Sequence, residues 1–494
     1  MVSWDDEGAY VTLGRLATTG AISLYQDDMT GQRMPLPFYV IGASQVIFGR
    51  DLWAARLVSL FLGVCVVGLT INIGRSLDGE ISGILAGLLL VTQGVVVGYY
   101  ATATYHALTA TILMAAVWIL LKEDLPWRFA LGMGIASLLF FTRTNMFPVL
   151  PFFFVWAFLG ARSAAERLAI VLITGAPPAI FFLVDPTHLK LLAHVPVLHR
   201  AVDDLGYRSI LSFAAIHHAD FREQMWAFVL LARRYESWTI AVAGLAVAAL
   251  LHRRPHLQPR LTESRRGVAI VGALFLWCLV WHFIIWRVNF KLALAFLPCF
   301  APLAAVFLGV GFTLLLRSPG LPRVGRVVLH ITLAVSLTLS LVFVRHPLLP
   351  LPAPWPFHED AIQRLNRSAA ELGRLVPAEE RIFLFAQPGP AYIAGLNPPR
   401  QQVMSAAGTL APVASDPRLV AKSGAWGILE IDRWLGHEVQ YAVISPQLLA
   451  TYATIRPEGI TRIRELLRDR FTLVGNVGAG SDLAANVYRR LKGQ

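Results

Sequence analysis

The chain reads as an α-helical polytopic membrane protein of about ten transmembrane helices with a small C-terminal extracytoplasmic α/β domain. Three observations predict this. Of 494 residues, 56% are hydrophobic and only 15% charged, where a water-soluble globule carries about 25% charged residues. Apolar runs near the roughly 20 residues that a helix needs to cross a bilayer recur down to residue 344. Beyond residue 345 the pattern changes to a proline cluster, then to short apolar strands and amphipathic helix.

The runs fall at 57–75, 81–98, 104–121, 127–142, 146–159, 168–184, 238–251, 267–286, 292–316 and 327–344. They are expected to be helices, because in hydrocarbon a helix satisfies every backbone N–H and C=O without water. The fourth and fifth are short and can run together through Arg143. If the N-terminus lies outside the cytoplasm, the inner segments carry Arg75, Lys122, Arg128, Arg162, Arg167, the stretch HRRPHLQPRLTESRR, Arg317, Arg323 and Arg326. That is a positive-inside bias. The net charge of +12 therefore serves orientation, and no nucleic-acid partner is expected.

Three parts follow from this map. Residues 1–56 form a first extracytoplasmic loop, with helix-like runs from Glu7 to Thr18 and Pro37 to Phe48. Residues 57–344 form the transmembrane domain, with an extracytoplasmic loop at 185–237 suited to an amphipathic helix at the interface. Residues 345–494 form the C-terminal extracytoplasmic domain. Pro347, Pro350, Pro352, Pro354 and Pro356 introduce it as a stiff linker. RIFLFA and VQYAVIS then read as strands, GITRIRELLRDRF as a helix and ANVYRR as a closing strand.

Soluble-enzyme signatures are absent: the chain has no G-x-x-x-x-G-K-[ST], G-x-S-x-G or H-E-x-x-H. Cys65, Cys278 and Cys299 sit in apolar stretches without C-x-x-C spacing and read as small hydrophobes. What remains is charge at the outer ends of apolar spans, where charge is costly. Trp4-Asp5-Asp6-Glu7-Gly8-Ala9-Tyr10 places acidic groups beside aromatic rings. One carboxylate there can act as a general base, although Ser3 and Asp6 equally suit the start of a helix. Arg287 and Lys291 lie four apart at the end of a span, either snorkelling or holding a lipid-borne phosphate. Arg56 shares that ambiguity. Arg143, alone between two apolar runs, needs a partner or a polar cavity. Tyr99, Tyr100, Tyr105 and His106 mark one outer turn, as interfacial anchors or sugar platforms. His217, His218 and Asp220 suggest a metal cluster only weakly. Gly83-x-x-x-Gly87 is a helix-packing motif.

WDDEGAY followed by MPLPFYVIGASQVIFGRDLWAARLVSLFLGV resembles the start of the C-type integral-membrane glycosyltransferases. The resemblance is to the protein O-mannosyltransferase and lipid A aminoarabinose transferase branch. The Thr142-Arg143 turn, the run from Arg287 to Pro298, and LLRDRFTLVGNV followed by VYRR agree with it. It implies that Asp6 is the general base and Glu7 its companion. It makes Tyr10 a site-lining residue and Arg56, Arg287 and Lys291 the holders of a donor phosphate; Arg33, Tyr39, Tyr105, His106 and Arg143 are further candidate substrate-binding residues. The implied partners are a polyprenyl-phosphate-linked sugar, a lipid, protein or polysaccharide acceptor, and the bilayer of the cell membrane. No cofactor or metal is required, since Arg and Lys can stabilise the leaving group, and a divalent cation near Asp6 and Glu7 is compatible with the motif.

Met34 stands where the aminoarabinose branch often has Lys, with Arg33 one position earlier, and the prolines are spaced as Pro35-Leu36-Pro37. Both features speak against an aminoarabinose donor. Family members also carry an apolar span ahead of the acidic motif, so about 20 further apolar residues are expected upstream of Met1. A transporter or lipid flippase is the alternative that ten spans and Arg143 allow, but matching Gly- or Pro-broken helices in two halves are not evident. A scaffold that keeps the fold and works through its C-terminal domain is a third reading. The leading one requires a carboxylate near the start of the chain to lie beside a cationic pocket.

Overall fold

The computed structural model describes residues 4–22, 24, 34–50, 52–184, 221–251, 263–285, 290–343, 361–399, 402, 410–411 and 426–491. The chain divides into two compact units. The first consists of Arg56–Val184 and Ile216–Pro350 together with Met1; the second consists of Val2–Ala55, Asp185–Ala215 and Leu351–Gln494.

In the first unit each of the ten apolar runs carries helix. Among the described residues four helices are long and apolar enough to cross a membrane: Leu52–Asp78, Ala164–Val184, Arg266–Phe283 and Phe296–Arg317. A fifth arises if Glu80–Val91 (α4) and Gly94–Tyr100 (α5), bent by 76° at their junction, form one span. The run at 81–98 is thus broken. Gln93 adopts extended backbone between the two helices (φ −82°, ψ 94°), and the Thr92 hydroxyl donates back to the Leu88 carbonyl at 2.7 Å, a local bond that competes with the helix ladder. The runs around Arg143 do not merge either. Helix α7, Arg128–Ser137, passes into a tight turn at Leu138–Phe141, and a second turn at Thr144–Met146 precedes helix α8, Val149–Gly160. Between the turns Arg143 is fully extended (φ −167°, ψ 147°).

Helix α3, Leu52–Asp78, packs on α4 through the small residues singled out above. A Cβ on Gly83 would lie 2.5 Å from the Ile71 carbonyl oxygen, and one on Gly87 would lie 2.6 Å from the Ile71 side chain. Only glycine permits that approach. Asp78, at the end of α3, accepts from Ser82 at 2.6 Å and Thr313 at 2.5 Å and faces Arg317 at 3.5 Å, so this carboxylate is fully used. Of the three cysteines, Cys278 and Cys299 are buried, and Cys65 is half-buried.

The second unit combines the N-terminal hairpin with the C-terminal domain. Helices α1, Trp4–Thr18, and α2, Pro35–Phe48, pack at backbone contact. Beyond residue 345 a four-stranded sheet runs in the order β1-β2-β4-β3, with β1 Ile382–Phe385, β2 Tyr441–Ile444, β3 Phe471–Val477 and β4 Ala485–Arg490. Strands β1 and β2 are parallel and the other pairs antiparallel. Parallel strands are covered on both faces, which explains why IFLF and YAVI are apolar throughout. Phe383, Phe385, Ala442 and Ile444 face one core with Trp426, Trp434 and Ile463. Ile382, Leu384, Tyr441 and Val443 face the other, with Leu372 and Val376. Strand β3 is FTLVGNV, for which no strand is expected from the sequence; Phe471, expected at the end of the preceding helix, begins it.

A buried amide joins hairpin and domain. Gln45 donates to the Val11 carbonyl at 2.7 Å and accepts from the Tyr392 hydroxyl. Nearby, Arg50 pairs with Glu379 at 3.3 Å and covers the Tyr392 ring at 5.5 Å. The Asn397 amide, and next the Arg50 guanidinium, hold the Glu379 carboxyl below the usual carboxylate range. A depressed carboxylate stabilises above its unfolded pKa and stops doing so as pH falls through the folded value. We expect the thermal stability of the chain to carry a small acid-limb loss below about pH 4 that Glu379→Gln removes, checked by melting curves between pH 3 and 7. Because Glu379 is solvent-exposed, the effect is small.

Candidate active site

Two clusters contain the residues that the sequence singles out, one in each unit. The first is built on α1. Asp6 lies in its first turn, and Glu7 and Tyr10 follow three apart, on one helix face. Both are completely buried. The Tyr10 ring packs on Phe38 with centroids 4.7 Å apart. What holds α1 against α2 is a pair of glycines. A Cβ on Gly42 would sit 2.1 Å from the Gly14 carbonyl oxygen, and one on Gly14 would sit 2.5 Å from the Phe38 carbonyl oxygen. A buried carboxylate needs compensation from its surroundings, so the hairpin is a site where Glu7 has a defined environment. Tyr39, next to the buried Phe38, points the other way and is 45% exposed; the structure does not bring it to Tyr10. Backbone alone is described for Asp6, and Ser3 and Arg33 lie outside the described residues.

The second cluster lies in the first unit, where α5 ends, a turn follows at 101–104, and helix α6, Tyr105–Leu121, begins. Thr104 precedes α6 in extended backbone and hydrogen-bonds the His106 Nδ1 at 2.7 Å. The His106 ring lies 3.9 Å from that of Tyr105 and 4.4 Å from that of Tyr99. Arg143 completes the group. Its guanidinium sits 4.1 Å from the Tyr105 ring centroid and 5.0 Å from that of Phe296. The structure therefore unites Tyr105, His106 and Arg143. A guanidinium between two aromatic faces is held by the rings' negative quadrupoles, with its N–H groups directed along the edges of the rings. An anion or a polyhydroxylated ligand is the chemistry that such an edge receives.

Three neighbours are absent from the sequence-based expectation: Phe296, Asn145 and His282. Asn145 and His282 are both buried. The His282 Nδ1 lies 2.7 Å from the Cys278 carbonyl oxygen, and its Nε2 lies 3.4 Å from the Asn145 amide nitrogen. Their signal was present, since His and Asn inside apolar runs are costly unless used. Arg56 stands half-buried near the start of α3. Lys291 lies in the first turn of helix Phe290–Arg317, described by its backbone. Arg287 falls outside the described residues, as do His217, His218 and Asp220. Among the described residues no three His, Cys, Asp or Glu side chains converge as metal ligands.

No family model matches the chain, and no curated protein matches it. Solved structures do. The crystal structure of ArnT, a lipid A aminoarabinose transferase from Cupriavidus metallidurans, bound to undecaprenyl phosphate, aligns with a TM-score of 0.60 at 12% identity, covering 99% of this chain and 94% of that one. The oligosaccharyltransferase AglB from Archaeoglobus fulgidus, in complex with an inhibitory peptide and a dolichol-phosphate, aligns at 0.49 and 11% identity, over 94% of this chain and 68% of that one. The arabinofuranosyltransferase AftD from Mycobacteria aligns at 0.43 and 14% identity, over 98% of this chain and 40% of that one. All three are C-type glycosyltransferases. Only the first alignment spans nearly the whole of both chains with a score above one half, and at 12% identity it is a likeness of fold. This chain has the fold of the C-type integral-membrane glycosyltransferases, the family that its acidic opening motif resembles.

Proposed function

We propose that the chain is a membrane glycosyltransferase that moves a sugar from a polyprenyl-phosphate donor to an acceptor hydroxyl at the outer face of the cell membrane, with inversion. The observation that carries this reading is the likeness of fold over 99% of the chain to a transferase crystallised with undecaprenyl phosphate, in a sequence that opens on WDDEGAY. With ten crossings, segments 1–56 and 345–494 lie on the same outer side.

In the scheme, Asp6 accepts the proton of the acceptor hydroxyl as its oxygen attacks the anomeric carbon. The bond from that carbon to the phosphate oxygen breaks, and the electron pair leaves with the polyprenyl phosphate. Arg56, Arg287 and Lys291 are assigned to the phosphate, where fixed positive charge stabilises the departing anion. Glu7 and Tyr10 position the acceptor and the base. Tyr105, His106 and Arg143 receive the polar part of the donor, with Arg33 and Tyr39 as further substrate contacts. One direct displacement inverts the anomeric centre, the logic shared with inverting hydrolases. No cofactor is required by this scheme. The Asp6 and Glu7 pair is chemically able to hold a divalent cation, and treatment with a chelator tells the two cases apart.

The test is release of undecaprenyl phosphate from undecaprenyl-phosphate-linked hexoses and pentoses by the full chain in proteoliposomes, with cell-surface glycans as acceptor. Transfer of at least one sugar is expected. Movement of lipid across the bilayer without transfer of any sugar would replace this reading with a flippase. Arg143→Leu is expected to lower kcat/KM for the donor by roughly a hundredfold, the scale of losing one preorganised charge. Arg143→Lys restores only part of it, because an ammonium lacks the planar face that stacks between Tyr105 and Phe296. An unchanged kcat/KM in a folded Arg143→Leu protein removes Arg143 from the site.

A further inference from the structure

A groove of about 760 Å³ opens in the first unit at the far end of α6, lined there by Leu120 and Leu121. Tyr105 and the Arg143 cluster stand at the start of that helix, so at 1.5 Å per residue the two ends are roughly 22 Å apart, most of a bilayer's hydrocarbon thickness. The groove is therefore separate from the candidate active site. One wall is α8. The other is helix α12, Glu263–Leu279, preceded in chain order by Ala164–Val184 (α9), Phe221–Arg234 (α10) and Glu236–Leu251 (α11). The Trp277 indole N–H donates to the Pro148 carbonyl at 2.7 Å and pins the two walls together at one end. From Trp277 the groove follows α12 to Arg266, a length of about 16 Å, close to the reach of one leaflet.

Its two ends differ chemically. Along its length the walls are Phe152, Val155, Trp156, Leu159 and Ile270, and Leu159 is 76% exposed, so the groove opens sideways where a bilayer would be. Arg128 and Arg266 stand at the other end. The Arg128 Nε is buried without a hydrogen-bond partner, while its guanidinium carbon rests 4.7 Å from the Phe129 ring centroid. The nearest buried carboxylate does not serve it. Glu166 accepts instead from the backbone N–H of Phe129 at 3.3 Å and of Arg162 at 3.0 Å. Glu123 is an exposed carboxylate on the rim. Neither arginine forms an ion pair among the described residues.

We propose that this groove binds an anionic glycerophospholipid, its phosphate between Arg128 and Arg266 and one acyl chain along the Phe152–Leu159 wall. Charge complementarity argues for the occupant: two cations beside an apolar channel of leaflet length fit a headgroup phosphate with its own tail, and free phosphate would leave the channel unfilled. The charge pattern along the chain assigns this end to the cytoplasmic leaflet, where anionic lipids give each basic side chain its largest attraction. The proposal stands independently of the transferase reading.

The test is native mass spectrometry of the full chain released from detergent after equilibration with palmitoyl-oleoyl phosphatidylglycerol or phosphatidylcholine. Retention of phosphatidylglycerol over phosphatidylcholine is expected, together with a rise in Tm. Arg128→Gln with Arg266→Gln should weaken phosphatidylglycerol binding roughly thirtyfold, about one near-surface attraction lost per arginine. Val155→Trp, which keeps both cations and replaces a half-exposed side chain, should weaken it by narrowing the channel. Equal retention of both lipids, or retention untouched by the double variant, overturns the proposal. So does full displacement by glycerol phosphate, which would mark a site for the anion alone, or by equimolar undecaprenyl phosphate, which would assign the groove to the carrier lipid.

Discussion

Asp6→Asn should lower the rate of sugar transfer by about 10²- to 10⁴-fold, the range that a positioned general base contributes. Asparagine keeps the size and the hydrogen-bonding oxygen of aspartate but has no useful basicity. The acceptor hydroxyl must then lose its proton to water. Because the donor phosphate is assigned to cations and not to Asp6, the donor KM should stay within a few fold while kcat falls, the signature of an interaction made in the transition state. Asp5→Asn is the control, expected to keep most of the activity. Turnover assays of both variants in proteoliposomes, with donor titrated at saturating acceptor, decide the matter. If Asp6→Asn retains full kcat, the base is another group and the acidic motif belongs to helix capping.

The second large effect is structural. Gly42→Ala should destabilise the chain and remove most activity, although alanine is favoured over glycine inside a helix by about 1 kcal/mol. The clash outweighs that gain. A Cβ at position 42 would lie 2.1 Å from the Gly14 carbonyl oxygen, and a backbone atom in a helix has no rotamer to escape into. Overpacking of this kind costs about 1–3 kcal/mol and sometimes more. Relief requires α1 to move away from α2, which shifts Asp6, Glu7 and Tyr10 together. Gly68→Ala is the matched control, since nothing lies within 4 Å of a Cβ added there; it should leave Tm unchanged or slightly raised. Tm and transfer rate measured for both variants test the claim, and an unaltered Tm for Gly42→Ala would show that the hairpin tolerates separation.

Much of this architecture could be read before any coordinate. The apolar runs become helices because backbone polar groups in a membrane have no other partner, and the continuous runs IFLF and YAVI become doubly covered strands for the reason that parallel sheets always are. Local pattern also sufficed for the helix running through Glu7 to Thr18 and for the close packing at Gly83 and Gly87. The 76° bend after Val91 could not be read. Thr92 and Gln93 are ordinary residues in a span, and only packing decides whether the ladder continues through them.

The aromatic cage of Arg143 was beyond reach for a different reason. Its charge in an apolar run announced that a partner must exist, but Tyr105 and Phe296 stand far from it and from each other along the chain, and no spacing rule joins them. Composition and periodicity by themselves determined the apolar helical architecture and the change to a small α/β domain after it, since these depend on transfer of side chains and backbone between water and lipid, residue by residue. Which rings close around a guanidinium, which amide ties α2 to the C-terminal domain, and where a groove stays open depend on distances between segments remote in sequence. Only the tertiary structure settles those.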